Sequence, residues 1–193
     1  MSEERKGLPI LAFADAAAFE AWLEAQPAGS PGLWLKLARK GAGAASVSKS
    51  EALDAALCHG WIDGQLDRYD DAAFLIRFTP RRARSKWSQV NRERALALIE
   101  AGRMRPAGLA QVEAAKADGR WDAAYAPASR AEVPPDLAAA LGANPEAAAF
   151  FAGLTGANRY AILYRIADAK RPETRARRIA AFVQMLARGE TVH

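Results

Sequence analysis

Cysteine and histidine are scarce in this chain of 193 residues, which contains one cysteine, Cys58, and two histidines, His59 and His193. A single cysteine cannot form a disulfide within the chain, and so few thiols and imidazoles argue against a zinc site. We therefore expect no metal ion and no other cofactor. We also expect a reducing, cytoplasmic location and a Cys58 side chain that lies in the core, as most free cysteines do.

Long apolar runs are missing as well, because Asp, Glu, Arg or Pro interrupts the alanine-rich stretches. No window approaches the roughly 18 consecutive apolar residues of a membrane-spanning helix. Residues 1–19 carry acidic side chains where a secretory signal needs an unbroken apolar run. The sequence therefore predicts neither membrane insertion nor a signal peptide.

The remaining composition is that of a folded globular protein, with 51% hydrophobic and 25% charged residues. The formal net charge of +5 is a modest excess, and the chain lacks a helix-turn-helix, RRM or KH signature. We therefore expect no specific nucleic acid as a partner, although nonspecific binding to nucleic acid is an alternative interpretation. A protein partner or a homo-oligomer is left open by the sequence.

Hydrophobic periodicity and turn residues predict an α+β fold for the first half of the chain. Residues 15–26 have the 3.6-residue period of a helix, which Pro27 ends. Ser48 and Glu51 have the spacing of a capping box, so a second helix is expected to begin there and to stop at Gly60. Short apolar or aromatic runs indicate strands at 33–37, 61–69 and 74–79, which would form a small antiparallel sheet.

The second half of the chain has only helical patterns. Ser85 is expected to cap a helix over 86–101, and Pro106 to open a helix that directs Leu109 and Val112 inward. Further helices are indicated at Asn144, at 160–166 and after Pro172. The predicted organisation is therefore an α+β domain at 1–125, a linker at 126–133, and an all-helical domain at 134–193.

A basic and aromatic segment between Cys58 and Asn91 contains the candidate ligand site. Arginines dominate residues 77–94, so the local electrostatic field is positive and favours an anionic small molecule. An alternative is that these arginines cover a solvent-exposed face and pair with acids elsewhere. The candidate ligand-binding residues are Trp61, Asp63, Arg77, Arg81, Arg84, Trp87 and Asn91.

Asp63 is the candidate for catalysis, because glycines at 60 and 64 let the backbone come close to a ligand. Its carboxylate could then act as the acid or base of an enzyme that acts on a phosphorylated or carboxylated substrate. The structural alternative is an ion pair between Asp63 and one of the arginines. No other catalytic residue is indicated.

A second basic run covers residues 170–178 and precedes the most strongly amphipathic segment of the chain. Glu173 and Arg177 have the spacing of an ion pair on the surface of a helix. The role of Arg175 is left open.

Several sequence blocks resemble the bacterial YdeI/OmpD-associated family, whose members are also called bacteriocin-protection proteins. The resemblance covers most of the chain, and from about Pro134 onward it is to the helical OmdA domain. The blocks are ALCHGWIDGQ at 56–65, RFTPRRARSKWSQVN at 77–91, GRM-P at 102–106, AKADGRWDAAY at 115–125 and AKRPETRARRI at 169–179.

The resemblance implies a link to envelope stress and to resistance against antimicrobial peptides, and it implies no reaction or cofactor. Together with the basic segment, it favours a cytoplasmic stress-protection protein that binds an anionic small molecule. An enzyme that uses Asp63 is the alternative.

Overall fold

The computed structural model describes residues 3–27 and 29–193. They form two compact units, Met1–Ala124 and Tyr125–His193. The first unit contains a five-stranded sheet with helices, and the second contains helices only. The predicted α+β fold class is therefore confirmed. The domain limits predicted from the sequence stay predictions about which segments fold on their own.

The sheet of the first unit is mixed rather than purely antiparallel. Its strands are Glu4–Arg5 (β1), Leu8–Ala12 (β2), Leu33–Ala38 (β3), Trp61–Arg68 (β4) and Ala73–Pro80 (β5). They lie in the order β1-β2-β3-β5-β4, in which β2 and β3 are parallel neighbours. A helix connects these two strands, as a parallel pair requires a crossover connection.

The sequence patterns predicted β3, β4 and β5 but neither of the two N-terminal strands. β1 has only two residues, and β2 contains Pro9, which lacks the amide hydrogen that a central strand uses. The pairing of β2 with β3 therefore supplies a strand that local preference alone did not indicate.

Two helices, α1 (Ala16–Glu24) and α2 (Lys49–Cys58), cover one face of the sheet. The Asp15 carboxylate caps α1 by accepting from the Ala18 amide. Ser48 and Glu51 form the predicted capping box at the start of α2, and Gly60 follows this helix at φ +76°. The core between helices and sheet includes Phe19, Leu23, Leu33, Leu35, Ala52, Ala55, Ile76 and Phe78.

The opposite face of the sheet, here called the second face, carries a smaller apolar cluster around Trp34, Leu75 and Leu8. Trp34 and Leu75 are fully buried. The Trp34 indole donates from Nε1 to the backbone oxygen of Arg5, at 2.9 Å, so the β1–β2 hairpin lies against this face.

Side chains from the two outer strands of the sheet also contact each other. Arg5 of β1 lies 3.3 Å from the Asp67 carboxylate and donates from Nη1 to the backbone oxygen of Arg68. The Tyr69 hydroxyl, just after β4, donates to the Glu3 carboxylate at 2.6 Å. The sheet is therefore curled, with its two edges joined by polar contacts.

Two further helices, α3 (Gln89–Glu100) and α4 (Pro106–Ala117), complete the first unit. They enclose a second core cluster that contains Leu57, Trp87, Val112 and Trp121. Gly108 permits the close packing of α4, because a Cβ atom at this position would lie 2.3 Å from the backbone oxygen of Cys58.

Two details predicted for these helices were wrong. α3 begins at Gln89 with Ser88 as its N-cap, whereas Ser85 accepts from the Arg82 amide in the preceding turn. The burial of Trp87 keeps the residues before Ser88 out of the helix. Leu109 is 38% exposed instead of directed inward, whereas Val112 is fully buried as predicted.

The second unit contains a short 3-10 helix and four α-helices around one core. The sequence predicted the last three helices but not the first, α5. The elements are Ala128–Arg130, α5 (Pro135–Gly142), α6 (Pro145–Gly153), α7 (Gly156–Ala167) and α8 (Pro172–Ala187), and the core includes Leu137, Phe151, Ile162, Ile166, Ile179 and Leu186. In the described part of the chain, no helix has the length and apolar character needed to span a membrane.

Candidate functional site

The loop between β5 and α3 is held by a buried arginine. Arg81 is 6% exposed, and its guanidinium carbon lies 3.7 Å from the ring centroid of Trp87. The Arg81 amide donates to the backbone oxygen of Gly60, and Nη1 donates to that of Lys86. A desolvated contact between a cation and an indole face is worth about 2 kcal/mol. Arg81 therefore stabilises the conformation of this loop.

Trp87 belongs to the core and not to an open surface. It is 2% exposed and packs edge-to-face against Trp121, with the ring centroids 4.9 Å apart. Its buried Nε1 has no hydrogen-bond partner among the described residues. Arg92 supports the same cluster by donating from Nη1 to the backbone oxygen of Trp121.

Arg84 and Asn91 lie on the surface around the start of α3. Arg84 is exposed, and its guanidinium has no acidic partner among the described residues. Asn91 is in the first turn of α3, where its amide donates to the Ser88 hydroxyl. The backbone amides at the start of α3, where Asn91 lies, favour negative charge nearby.

Trp61 and Asp63 lie near the start of β4. Trp61 is 4% exposed and packs edge-to-face on Trp22, with the ring centroids 5.6 Å apart. Asp63 pairs with Phe78 of β5, so both side chains point to the face that α1 and α2 cover. The half-buried Asp63 carboxylate has no hydrogen-bond or ion-pair partner in the described chain. The predicted ion pair between Asp63 and an arginine is therefore not formed within the described residues.

Arg77 points to the second face of the sheet, because it pairs with Trp34 of β3. Its Nε atom is buried and has no hydrogen-bond partner in the described part of the chain. The neighbouring residue Phe78 points to the opposite face, as successive residues of a strand do. Arg77 and Asp63 are therefore on opposite faces of the sheet.

The seven predicted ligand-binding residues thus occupy three places within the first unit. Two of them, Arg81 and Trp87, are in direct contact through the stacking of the guanidinium on the indole. Trp61 and Asp63 are on the helix-covered face, Arg77 is on the second face, and Arg81, Arg84, Trp87 and Asn91 belong to the loop and the start of α3.

Two residues near Arg77 were missed by the sequence analysis. Lys6, in the β1–β2 turn, donates from Nζ to Gln65 Oε1 at 3.3 Å and lies 6.0 Å from the ring centroid of Trp34. Gln65 is in a bulge of β4 between Asp63 and Leu66. If β1 and β2 had been predicted, they would have indicated Lys6, since these strands bring it to the second face.

Other arginines of the first unit form ion pairs. Arg94 lies 2.6 Å from the Asp54 carboxylate, and Arg120 lies 2.7 Å from that of Asp118. The alternative of pairing with acids elsewhere is therefore confirmed for Arg94. Arg82 is exposed like Arg84, and its side chain has no partner among the described residues.

Cys58 and His59 do not form a nucleophilic pair. Cys58 is buried as predicted, and this burial raises the pKa of its thiol, which disfavours the reactive thiolate. The His59 Nδ1 atom lies 2.9 Å from the backbone oxygen of Ala55. Because a carbonyl oxygen only accepts, Nδ1 carries the proton. Among the described residues, no three His, Cys, Asp or Glu side chains are grouped to hold a metal ion.

The basic run of the second unit is anchored by Arg175. Its guanidinium donates to both oxygens of Asp136, at 2.5 and 2.8 Å, and to the backbone oxygen of Ile166. The Arg175 guanidinium lowers the pKa of the Asp136 carboxyl. The ion pair predicted between Glu173 and Arg177 is absent from the described structure.

Two family models match the chain, one mainly in each unit. A model described as a domain of unknown function (DUF8412) matches residues 11–111, which are more than half of the chain. A model described as bacteriocin-protection, YdeI or OmpD-associated (OmdA) matches residues 130–189. The chain belongs to the DUF8412 family, and its second unit carries a match to the OmdA model. The resemblance drawn from the sequence blocks is thereby confirmed. The chain has no match among the curated proteins or the solved structures that were compared with it.

In terms of these families, the candidate residues lie in the DUF8412 region, which ends at residue 111. The Asp136–Arg175 pair lies in the OmdA region, where it joins α5 to α8. Beside this pair, Ala140, Ala176 and Ile179 line a groove of about 470 Å³.

Proposed function

We propose that this YdeI/OmpD-associated protein binds an anionic small molecule through its first unit. One observation carries the proposal: Arg77 holds a buried Nε atom that has no hydrogen-bond partner among the described residues. Leaving such a donor unsatisfied costs about 1–3 kcal/mol. A ligand that supplies an acceptor would recover this energy.

The chemistry of Arg77 supports an anion as that ligand. A guanidinium presents parallel N–H groups that match the oxygens of a carboxylate or a phosphate. On the loop that follows β5, Arg82 and Arg84 add exposed positive charge without acidic partners in the described chain. Such charge increases the rate at which anions reach the surface. Trp61 and Trp87 support this region as core residues.

A role in protection agrees with such a binding function. The description of the second family model names bacteriocin protection. We propose that the protein acts in this response in the cytoplasm, by capturing an anionic metabolite or signal.

The alternative of an enzyme that uses Asp63 has less support. The Asp63 carboxylate has no ion-pair partner among the described residues, so it is available to act as a base. However, it points to the opposite face of the sheet from Arg77. A small ligand held by Arg77 would therefore be out of reach of Asp63.

Isothermal titration calorimetry on the full chain tests the proposal. The probes are phosphate, phosphosugars, nucleotides and dicarboxylates, each at low and high salt. We expect at least one anion to bind the wild type and Arg77→Gln to weaken that binding by roughly tenfold or more, since hydrogen bonds to a charged group are worth about 1.5–3 kcal/mol.

Arg105→Gln is the control for the loss of one positive charge, because Arg105 is an exposed arginine of the first unit whose side chain has no ion pair among the described residues. It should keep the affinity of the wild type. Equal weakening by both variants, or no binding of any anion, would overturn the proposal. A steep loss of affinity with salt, without selectivity among probes, would support the nonspecific nucleic-acid binder instead.

A further inference from the structure

We propose that Lys6 and Gln65 complete the Arg77 site and that the site takes a phosphate monoester. This inference rests on the anion-binding function proposed above and adds two ligand residues and a ligand class. Both residues come from parts of the sheet outside the basic segment, namely the β1–β2 turn and the bulge of β4.

Trp34 is the common neighbour of the two cations in this site. Lys6 Nζ lies 6.0 Å from the Trp34 ring centroid, and Arg77 is the cross-strand partner of Trp34. Directly paired residues of antiparallel strands have Cβ atoms about 5 Å apart. The positive groups of Lys6 and Arg77 therefore lie on the same face of the sheet, beside one indole.

Gln65 lies beside the same two cations. On β4, residues 64 and 65 form the bulge between the pairs that Asp63 and Leu66 make with β5, which places them opposite Arg77. Gln65 Oε1 accepts from Lys6 Nζ at 3.3 Å. This bond occupies the carbonyl oxygen of the amide and leaves its NH₂ group free to donate to a ligand.

The backbone at Lys6 is itself unusual. Lys6 has φ +49° and is the one described residue other than glycine with a positive φ. Lysine has no local hydrogen bond that favours this conformation, in contrast to asparagine or aspartate. Together with Gly7 at φ +72°, Lys6 forms the two-residue hairpin turn between β1 and β2, a turn in which both residues take a positive φ. The turn directs the Lys6 side chain toward Gln65 and Trp34.

The free groups of the site are hydrogen-bond donors. Lys6 keeps two N–H bonds besides the one that it donates to Gln65, Arg77 has five, and the free end of Gln65 has two. The nearby carboxylate of Asp67 is paired with Arg5 at 3.3 Å, and Lys36 on the same face is placed 3.8 Å from the ring centroid of Tyr69. An anion at this site therefore meets the positive charges of Lys6 and Arg77, neither of which forms an ion pair with a described acid.

Two uncompensated charges select a dianion. A phosphate monoester carries a charge between −1.5 and −2 at neutral pH and three acceptor oxygens, whereas a carboxylate or a sulfate ester carries −1. The three residues proposed for the site, Lys6, Gln65 and Arg77, include no carboxylate or imidazole that could activate water. It is therefore suited to holding a phosphate monoester without hydrolysing it.

Calorimetry with methyl phosphate and methyl sulfate on the full chain tests this inference at pH 8. We expect methyl phosphate to bind at least about tenfold more tightly than methyl sulfate. Lys6→Gln and Gln65→Glu should each weaken methyl phosphate binding by about tenfold. Lys6→Arg should stay within about threefold of the wild type, because it keeps the charge at the same turn.

Lys49→Gln is the control for net charge, since Lys49 is exposed at the start of α2. It should leave the affinity unchanged. Far-UV circular dichroism verifies that each variant is folded. Vesicles that contain phosphatidic acid separate the two sources of the ligand: binding to them but not to methyl phosphate identifies a lipid headgroup, and the reverse identifies a free phosphate monoester.

The results distinguish this inference from the function on which it rests. If Arg77→Gln loses anion binding but Lys6→Gln and Gln65→Glu do not, anion binding stands and the three-residue site is wrong. Equal affinity for methyl phosphate and methyl sulfate overturns the ligand class. If the wild type binds no anion of either panel, both proposals fail.

Discussion

At the scale of single residues, Arg81 shows how a positive charge is accommodated in the interior of the first unit. Its guanidinium stacks on Trp87 at 3.7 Å, while its backbone is fixed to Gly60 after α2. The same side chain thus connects the loop after β5 with the aromatic core of Trp87 and Trp121. Arginine suits this role because its planar group can stack and donate hydrogen bonds at once.

Replacing Arg81 should therefore destabilise the first unit. We expect Arg81→Ala to lower the free energy of unfolding by about 2–4 kcal/mol, from the lost cation–π contact and the packing space left behind. Arg81→Lys should cost less, because it keeps the charge but not the planar stacking. Urea unfolding monitored by tryptophan fluorescence measures both values.

Arg84→Ala is the matched control, since Arg84 is an exposed arginine of the same loop, and it should change stability by less than about 0.5 kcal/mol. An equally small effect of Arg81→Ala would show that the buried guanidinium contributes nothing.

What the sequence can predict about these residues depends on how local their environment is. The capping box of Ser48 and Glu51 was predicted correctly because both partners lie within one turn. The N-cap of α3 was predicted wrongly, as Ser85 instead of Ser88, since the packing of Trp87 on Trp121 decides between them. Whether Trp61 and Trp87 bind a ligand or belong to the core depends on their contacts with Trp22 and Trp121, which lie far from them along the chain. The local sequence does not show these contacts.

At the scale of elements, the unpredicted β1 and β2 have the largest effect on the candidate site. They turn a three-stranded sheet into a curled, five-stranded one and place Lys6 near Arg77 on the second face. A two-residue strand carries almost no periodic signal. The helices with strong caps, such as α6 after Asn144, were predicted because their signals are local.

The contact between α5 and α8 predicts a pH dependence in the second unit. Arg175 lowers the pKa of Asp136 below its ordinary value of 3.8. The ionised carboxylate therefore stabilises the fold above that value, and its contribution is lost as the pH falls through the lowered pKa. Because the pair is partly exposed, solvent screening limits the effect to less than about 1 kcal/mol.

We expect Asp136→Asn to be less stable than the wild type at pH 6 and to approach it at pH 2.5. Urea unfolding followed by circular dichroism at both pH values measures the difference. Glu132→Gln is the control, since Glu132 is exposed and has no ion pair among the described residues. A difference between Asp136→Asn and the wild type that is the same at both pH values would contradict the assigned cause.

At the scale of the whole molecule, the two units have separate cores and differ in their tryptophan content. Apolar clusters of the first unit lie on both faces of the sheet and under α3 and α4, and the second unit has a cluster of its own. The five tryptophans of the chain lie in the first unit, at positions 22, 34, 61, 87 and 121.

Because of these separate cores, we expect residues 1–125 to fold without the rest of the chain. The fragment should unfold cooperatively in urea, and its tryptophan emission before unfolding should match that of the full chain. An emission spectrum of solvent-exposed indole in buffer alone would show that the first unit needs the second to fold.

The shape of the sheet edges also bears on how the protein behaves at high concentration. On one side, β1 offers only two residues, and on the other, the bulge at Gly64 and Gln65 interrupts β4 next to the charged Asp67 and Arg68. Short, bulged and charged edges are poor templates for a strand from another molecule. Fibril growth by strand addition is thereby disfavoured, and concentrated solutions should resist this route to aggregation.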